Sequence, residues 1–278
     1  MNMNMNMNNI DTVKIIQGSR GDEFYNFISE FLKKSKIQQK TINELLTPEV
    51  MLMFSTALTH KSASDDNYEY YELIGDSLVN TCIVWYINNK FPFLRKPEYV
   101  KIVARLKINL ISKKSFYQFA EKLDLWKFVT ASEDVKNTKM KKTMEDVFEA
   151  LFGVTCIVLD RKNKGYNGCY NILASIMDDI NISLEYEDLY DSKTILKETF
   201  DLYKDLGPLV YSNQRIDEFQ NVTISMGHNR ITLGKGKSTL KIDAEQKAAY
   251  NALNLLKHKY KIQKPIPDVF NKLKIIKK

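Results

Sequence analysis

The side chains best placed to do chemistry in this chain are carboxylates. In Glu69-Tyr-Tyr-Glu72-Leu-Ile-Gly-Asp76 three acids stand at i, i+3 and i+7. At about 100° per residue they fall within about 60° of one another, a single stripe on a helix. Asp146 and Glu149 repeat the i, i+3 spacing far downstream, between Phe148, Ala150, Leu151 and Phe152. Acids set into an otherwise apolar helix are costly without a purpose. If the two helices pack side by side, four or five carboxylates converge, and divalent cations must neutralise them. Any one of these acids alone reads more simply as a solvent-facing group or a lysine partner; two acidic pairs in apolar helices do not. The chain has three histidines (His60, His228, His258) and three cysteines (Cys82, Cys156, Cys169), all scattered, so a metal would sit in oxygen ligands. That donor set suits Mg, Mn or Ca rather than Zn. His60, between Thr59 and Ser62, reads as a hydrogen-bonded structural histidine ahead of a phosphate contact.

Helices must position these acids. Hydrophobic residues make up 44% of the sequence, enough to bury a core in each of two domains and to exclude global disorder. Residues 1–9 alternate Met and Asn and are expected to be disordered. Phe24, Phe27, Ile28, Phe31 and Leu32 mark a helix in an N-terminal extension over 22–46, with a second short helix over 41–46. From Pro48 to about Tyr186 the pattern stays helical, with helices expected over 68–90, 99–111, 115–125 and 170–181. Phe91-Pro92 ends one of them, Ser115 is expected to cap another, and 161–168 is expected as a loop. The helical domain thus spans 10–188, and Gly75 offers a point of close approach for a neighbouring helix.

After Tyr190 the period changes. Asp191-Ser192 caps a helix to about Leu202, and Gly207-Pro208 breaks it. A first strand is expected over 209–213. Val222, Ile224 and Met226 alternate, 227–230 turns, and Ile231 and Leu233 alternate again. A last helix over 243–259 carries Ala244, Ala248, Ala252 and Leu255 on one face, small enough to lie close on a sheet. Residues 190–260 therefore form an α-β-β-β-α module of the α+β class. Charge is concentrated there and beyond: 17 Lys and Arg face 9 Asp and Glu from Asp191 onward, against 24 and 25 before it. A local basic excess is the footprint of a polyanion binder, or else a solubilising face.

Leu58-Thr-His-Lys-Ser62, Glu69 through Ser77 and Glu145 through Gly153 resemble, in order and spacing, the three landmarks of the ribonuclease III family. That family's signature helix reads Glu-x-Leu-Glu-aromatic-Leu-Gly-Asp-Ser, and its second acidic helix Asp-x-x-Glu-Ala-Leu. Tyr70, Tyr71, Leu73 and Lys114 depart from the pattern, yet every acid is kept. The resemblance implies an all-α nuclease domain whose catalytic and metal-binding acids are Glu72, Asp76, Asp146 and Glu149, with Glu69 in support. It implies Mg2+, with Mn2+ as a substitute, and a homodimer in which each subunit cuts one strand of double-stranded RNA. Products would carry 5′-phosphates, 3′-hydroxyls and short 3′ overhangs. Phosphodiester hydrolysis needs a nucleophilic water and a stabilised leaving oxygen, which two hard cations about 3.5 to 4 Å apart supply. In the run Leu78, Val79, Ile83 and Val84 a subunit contact competes with monomer core, and core is favoured.

Asp191 through Glu198 and Gly234 through Ala249 similarly resemble the two ends of a double-stranded RNA-binding domain, a module that reads duplex shape. The resemblance assigns minor-groove contacts to Thr194, Glu198 and Arg215, and phosphate contacts to Lys235, Lys237 and Lys241. Ile242 replaces one of the usual lysines, which weakens the expected affinity. The basic tail, 261–278, could add phosphate contacts through Lys261, Lys264, Lys272, Lys274, Lys277 and Lys278, or be a disordered solubiliser. The competing reading of the whole chain is a catalytically silent, ribosome-associated or RNA-binding scaffold; the full set of acids favours the enzyme. No targeting leader is evident, no apolar stretch nears the roughly 20 residues of a membrane span, and cysteines are few, so no membrane partner and an intracellular, cytoplasmic setting are expected.

Overall fold

Apolar residues at helical spacing build the first part of the chain into a bundle. The computed structural model describes residues 13–276; the Met-Asn stretch 1–9, with Lys277 and Lys278, lies outside the described residues. Its contacts divide into two units after Ile182.

The first unit holds α1 (Asp22–Lys33), α2 (Gln39–Leu45), α3 (Pro48–Ala57), α4 (Glu69–Lys90), α5 (Val100–Leu110), α6 (Lys113–Lys122), α7 (Glu133–Thr138), α8 (Met140–Asp160) and α9 (Gly165–Met177). Helix α8 is central, packing on α3, α4, α6 and α9. Val147, Phe148, Leu151, Phe152, Val154 and Val158 are fully buried on it. Phe148 stacks against Phe116, Phe119 and Phe152 with ring centroids 5.4, 5.6 and 5.1 Å away. A two-stranded ribbon, β1 (Ile15–Ile16) with β2 (Ala131–Ser132), ties the N-terminal segment down; two residues carry too little alternation to be legible beforehand.

Two expected boundaries move. Helix α6 is capped by Ser112, whose Oγ accepts from the Ser115 amide at 3.2 Å, not by Ser115. Ser115 Oγ instead donates to the Asn109 carbonyl at 2.7 Å. Helix α9 begins at Gly165 rather than near Tyr170, because its two glycines serve close packing on α8 and not a loop. The run on α4 splits: Val79 and Ile83 are buried, Leu78 is half-buried and Val84 is exposed.

The second unit contains α10 (Tyr186–Leu189), α11 (Ser192–Leu202), the antiparallel sheet β3 (Leu209–Ile216), β4 (Phe219–Met226), β5 (Ile231–Ser238), α12 (Lys241–Leu255) continued by a wide turn to Tyr260, and α13 (Asp268–Ile276). Asp191 caps α11, accepting from the Thr194 amide at 3.0 Å. The division falls before the expected 188–190 boundary, because Tyr186 and Tyr190 stack on each other and on Phe270. A Cβ added to Gly234 or Gly236 would meet the Ala248 or Ala244 carbonyl oxygen at 2.2 or 2.1 Å. Glycine on the strand and alanine on the helix thus let α12 lie directly on β5. The same glycines interrupt the alternation, which is why β5 reads as ending at Leu233. The tail is structured as far as it is described: Phe270 and Leu273 of α13 are buried. Among the described residues no helix is long and apolar enough to cross a membrane.

Candidate active site and nucleic-acid interface

Two glycines bring the acidic helices together. A Cβ on Gly75 of α4 would stand 1.8 Å from the Glu149 carbonyl oxygen, and one on Gly153 of α8 would stand 2.0 Å from the Tyr71 carbonyl oxygen. The backbones of α4 and α8 therefore touch at a reciprocal glycine crossing, with Glu72 and Asp76 on one side and Asp146 and Glu149 on the other. Acids seventy or more residues apart share one electrostatic environment as a result.

Burial and the negative charges of Asp76, Glu72, Asp146 and Glu145 push the Glu149 carboxyl up to about 8. Burial, then Asp146, raises Glu72. Burial raises Asp146 as well, opposed by the Tyr68 hydroxyl, which donates to its Oδ2 at 3.0 Å, and by Lys142 and Lys113. Asp76 is exposed and its Oδ1 accepts from Asn80 Nδ2 at 2.8 Å. Glu69 is near but turned outward, held by Lys61 at 2.6 Å. Its place at the edge follows from the helix start, where the 58–62 loop supplies a cation.

His60 is buried, and its Nδ1 accepts from the Ser62 amide at 2.9 Å. Burial lowers its pKa, and the ring packs edge-on against Tyr68 with centroids 5.5 Å apart. The histidine supports Tyr68, and Tyr68 orients Asp146. Sequence reading passed over Tyr68 and Gly153. For Gly153 a signal existed, a second glycine in an apolar acidic helix; for Tyr68 there was none.

A cluster of carboxylates that resist ionising together is a donor set suited to a hard divalent cation. Among the described residues, no three His, Cys, Asp or Glu side chains are already drawn together at coordinating spacing.

On the second unit, register gathers several cations. Arg215 pairs with Gln220, which pairs with Ser238, so Arg215 at the β3–β4 turn shares one end of the sheet with Lys237 and with Lys241 at the start of α12. Lys237 lies over the Phe219 ring at 4.1 Å, and Arg215 Nε donates to the Asp217 carbonyl at 3.2 Å. Lys235 and Lys237 line an open groove of about 460 Å³ with Lys247, Tyr250 and Asn251. Lys241 approaches Glu245 at 3.9 Å. Thr194 Oγ1 donates to Asp191 Oδ2 at 2.7 Å, near the α12 N-terminal turns through the Gln246–Asp191 contact at 2.8 Å. Glu198 is paired with Lys264, which reaches back to it from the tail. The tail lysine expected to meet phosphate is thus spent on the helix expected to meet the minor groove.

The Ribonuclease III domain family model matches residues 69–160. A protein of Invertebrate iridescent virus 6 provisionally named ribonuclease 3 is 37% identical over 293 residues, covering 96% of this chain and 99% of its own length. One from Frog virus 3, named likewise, is 38% identical over 213 residues, 74% of this chain and 56% of that protein. Ribonuclease 3 of Clostridium botulinum strain Eklund 17B is 30% identical over 223 residues, 75% and 90% of the two chains. With its acidic helices crossed at Gly75 and Gly153 and an α-β-β-β-α unit following in the sequence, the chain belongs to the ribonuclease III family and is a ribonuclease.

Proposed function

We propose that the chain is a Mg2+-dependent endoribonuclease that cuts double-stranded RNA. The observation that carries this reading is the Gly75–Gly153 crossing, which sets four mutually repelling carboxylates against one another. Glu72, Asp76, Asp146 and Glu149 would hold the metal, with Mn2+ able to replace Mg2+. Two hard cations bound there would supply a hydroxide nucleophile and neutralise charge on the leaving oxygen. The chain's own groups prepare that site. Tyr68 fixes Asp146 by its hydroxyl, Lys142 and Lys113 moderate the negative field, and Glu149, half-protonated near pH 8, gives up its proton as cations enter. Water adds to phosphorus, the bond to the 3′-oxygen breaks, and that oxygen takes a proton. The ends are a 5′-phosphate and a 3′-hydroxyl.

The second unit would hold the duplex by shape, through Thr194, Arg215, Lys235, Lys237 and Lys241, with Glu198 contributing once Lys264 lets it go. A homodimer, each subunit cutting one strand to leave short 3′ overhangs, is supported by exposed Val84, Trp85, Val100 and Ile108 on and beside the far end of α4. Val84 and Val100 line a groove of about 470 Å³ together with Ile87, Phe91, Leu94 and Val103.

The test is long duplex RNA incubated with the protein and Mg2+, with the ends mapped. Short duplexes bearing 5′-phosphates support the proposal; binding without cutting would establish the scaffold instead. Ca2+ in place of Mg2+ is expected to keep binding and slow cutting, since Ca2+ coordinates loosely, and equal rates would remove the two-cation scheme. Tyr68→Phe should lower the turnover rate on the order of ten-fold with KM for RNA and thermal midpoint unchanged, because it frees Asp146 without opening the core. Lys237→Ala should weaken duplex binding for all sequences alike and reduce the slope of log affinity against log salt by about 1, read from a salt titration.

A further inference from the structure

All three cysteines of the chain lie where α4, α8 and α9 meet, away from the acids. Cys82 is on α4, Cys156 on α8 and Cys169 on α9. The last two helices approach unusually closely. A Cβ on Gly165 would stand 3.0 Å from the Cys156 carbonyl oxygen, and one on Gly168 would stand 2.4 Å from Leu159 Cδ1. Cys169 follows Gly168 directly, so it is carried against the same stretch of α8. Its Sγ donates to the Phe152 carbonyl oxygen at 3.8 Å, one helical turn before Cys156, and the Cys169 thiol interacts with the Cys156 sulfur. Cys82 and Cys169 are buried, whereas Cys156 is half-buried and reachable from solvent.

We propose that Cys156 and Cys169 form a peroxide-oxidisable thiol pair, Cys156 reacting first and Cys169 resolving it to an intramolecular disulfide that joins α8 to α9. The oxidant is a hydroperoxide, with hydrogen peroxide the simplest case. The Cys156 thiolate attacks one peroxide oxygen, the O–O bond breaks, and the departing hydroxide takes the proton Cys156 gave up, leaving Cys156 as a sulfenic acid and one water. The Cys169 sulfur then attacks the Cys156 sulfur, the S–O bond breaks, and the leaving hydroxide takes the Cys169 proton as a second water. Two thiols lose two electrons and one peroxide gains them.

The order of reaction follows from environment. The neighbouring Cys169 thiol lowers the Cys156 pKa, which favours the nucleophilic form on the cysteine of the pair that is only half-buried. Burial pushes Cys82 up to about 12, so the third cysteine is a built-in control. The inference does not rest on the catalytic reading, because no acid of the site takes part.

The experiment treats the reduced full-length protein with a small excess of hydrogen peroxide, blocks remaining thiols with N-ethylmaleimide in denaturant, and measures intact mass and tryptic peptides. Expected are a monomer lighter by two hydrogens, a single maleimide on Cys82, a Cys156–Cys169 linked peptide and a raised thermal midpoint that dithiothreitol reverses. Cys169→Ser should stop at a sulfenic acid on Cys156 that dimedone traps. Cys156→Ser should slow oxidation about ten-fold or more, and Cys82→Ser should change nothing. A disulfide containing Cys82, oxidation of Cys156→Ser at the wild-type rate, or a wild-type protein that gains oxygen without losing hydrogens would overturn the proposal. The wild-type peptide map decides it even where a serine variant folds poorly.

Discussion

Duplex RNA incubated with Glu149→Gln protein and Mg2+ is expected to stay intact, with cutting reduced on the order of 10³-fold and affinity for the duplex unchanged. Gln has nearly the shape of Glu but no charge to offer a cation, while the basic second unit is untouched. A gel-shift titration beside a cleavage time course reads both quantities. Loss of binding in step with cleavage would mean that Glu149 holds the fold or the RNA, not the metal.

The same variant has a signature that needs no RNA. The Glu149 carboxyl stands at about 8 in the folded, metal-free protein against an ordinary 4.5. A raised carboxyl binds more protons folded than unfolded, so its contribution to stability is complete below about pH 4.5. It is then lost as pH rises through about 8. Wild type without divalent ions should therefore melt at progressively lower temperature over that range, and Mg2+ should restore it most strongly at the alkaline end. Glu149→Gln should melt above wild type at pH 8.5 in chelator and respond less to Mg2+. Glu72, Asp146 and Glu145 are raised too, so a reduced slope persists in the variant.

Gly75→Ala is expected to be the most damaging single methyl in the first unit. Its new carbon would stand 1.8 Å from a carbonyl oxygen of α8, and backbone cannot swing aside as a side chain can. Overpacking that moves backbone costs about 3 kcal/mol or more. For a domain of this size the thermal midpoint should fall by roughly 6 to 12 °C. Because the crossing also sets the spacing of the acids, whatever folds should cut slowly even below its melting temperature. Gly153→Ala should behave alike from the other helix, while Leu73→Ala, exposed on the same α4, should change the midpoint by less than about 2 °C. A Gly75→Ala protein with wild-type midpoint and wild-type cutting would show that the helices do not touch there.

The acids and the helices that bear them were legible in the sequence because helical spacing is local: three carboxylates on one stripe, two more between buried phenylalanines, and caps such as Asp191 at the change of period. The antiparallel strand β4 and the start of β5 announced themselves by alternation. What local pattern could not supply was every partner set by approach rather than by spacing. The reach of Tyr68 to Asp146, the withdrawal of Glu69 to Lys61 and the capture of Glu198 by Lys264 all join residues that only packing brings together. The glycines are the sharpest case. Gly153, Gly234 and Gly236 read as neutral or as breaks in a pattern, and Gly75 as a point of approach with no named partner, since a missing side chain leaves no hydropathy signal; in the folded protein each marks a place where two backbones come too close for a Cβ. Sequence alone thus determined which chemical groups are present and on which faces of which elements. Tertiary structure alone decided which of them share a site, because helix crossing distance is a property of two surfaces and is written in neither segment by itself.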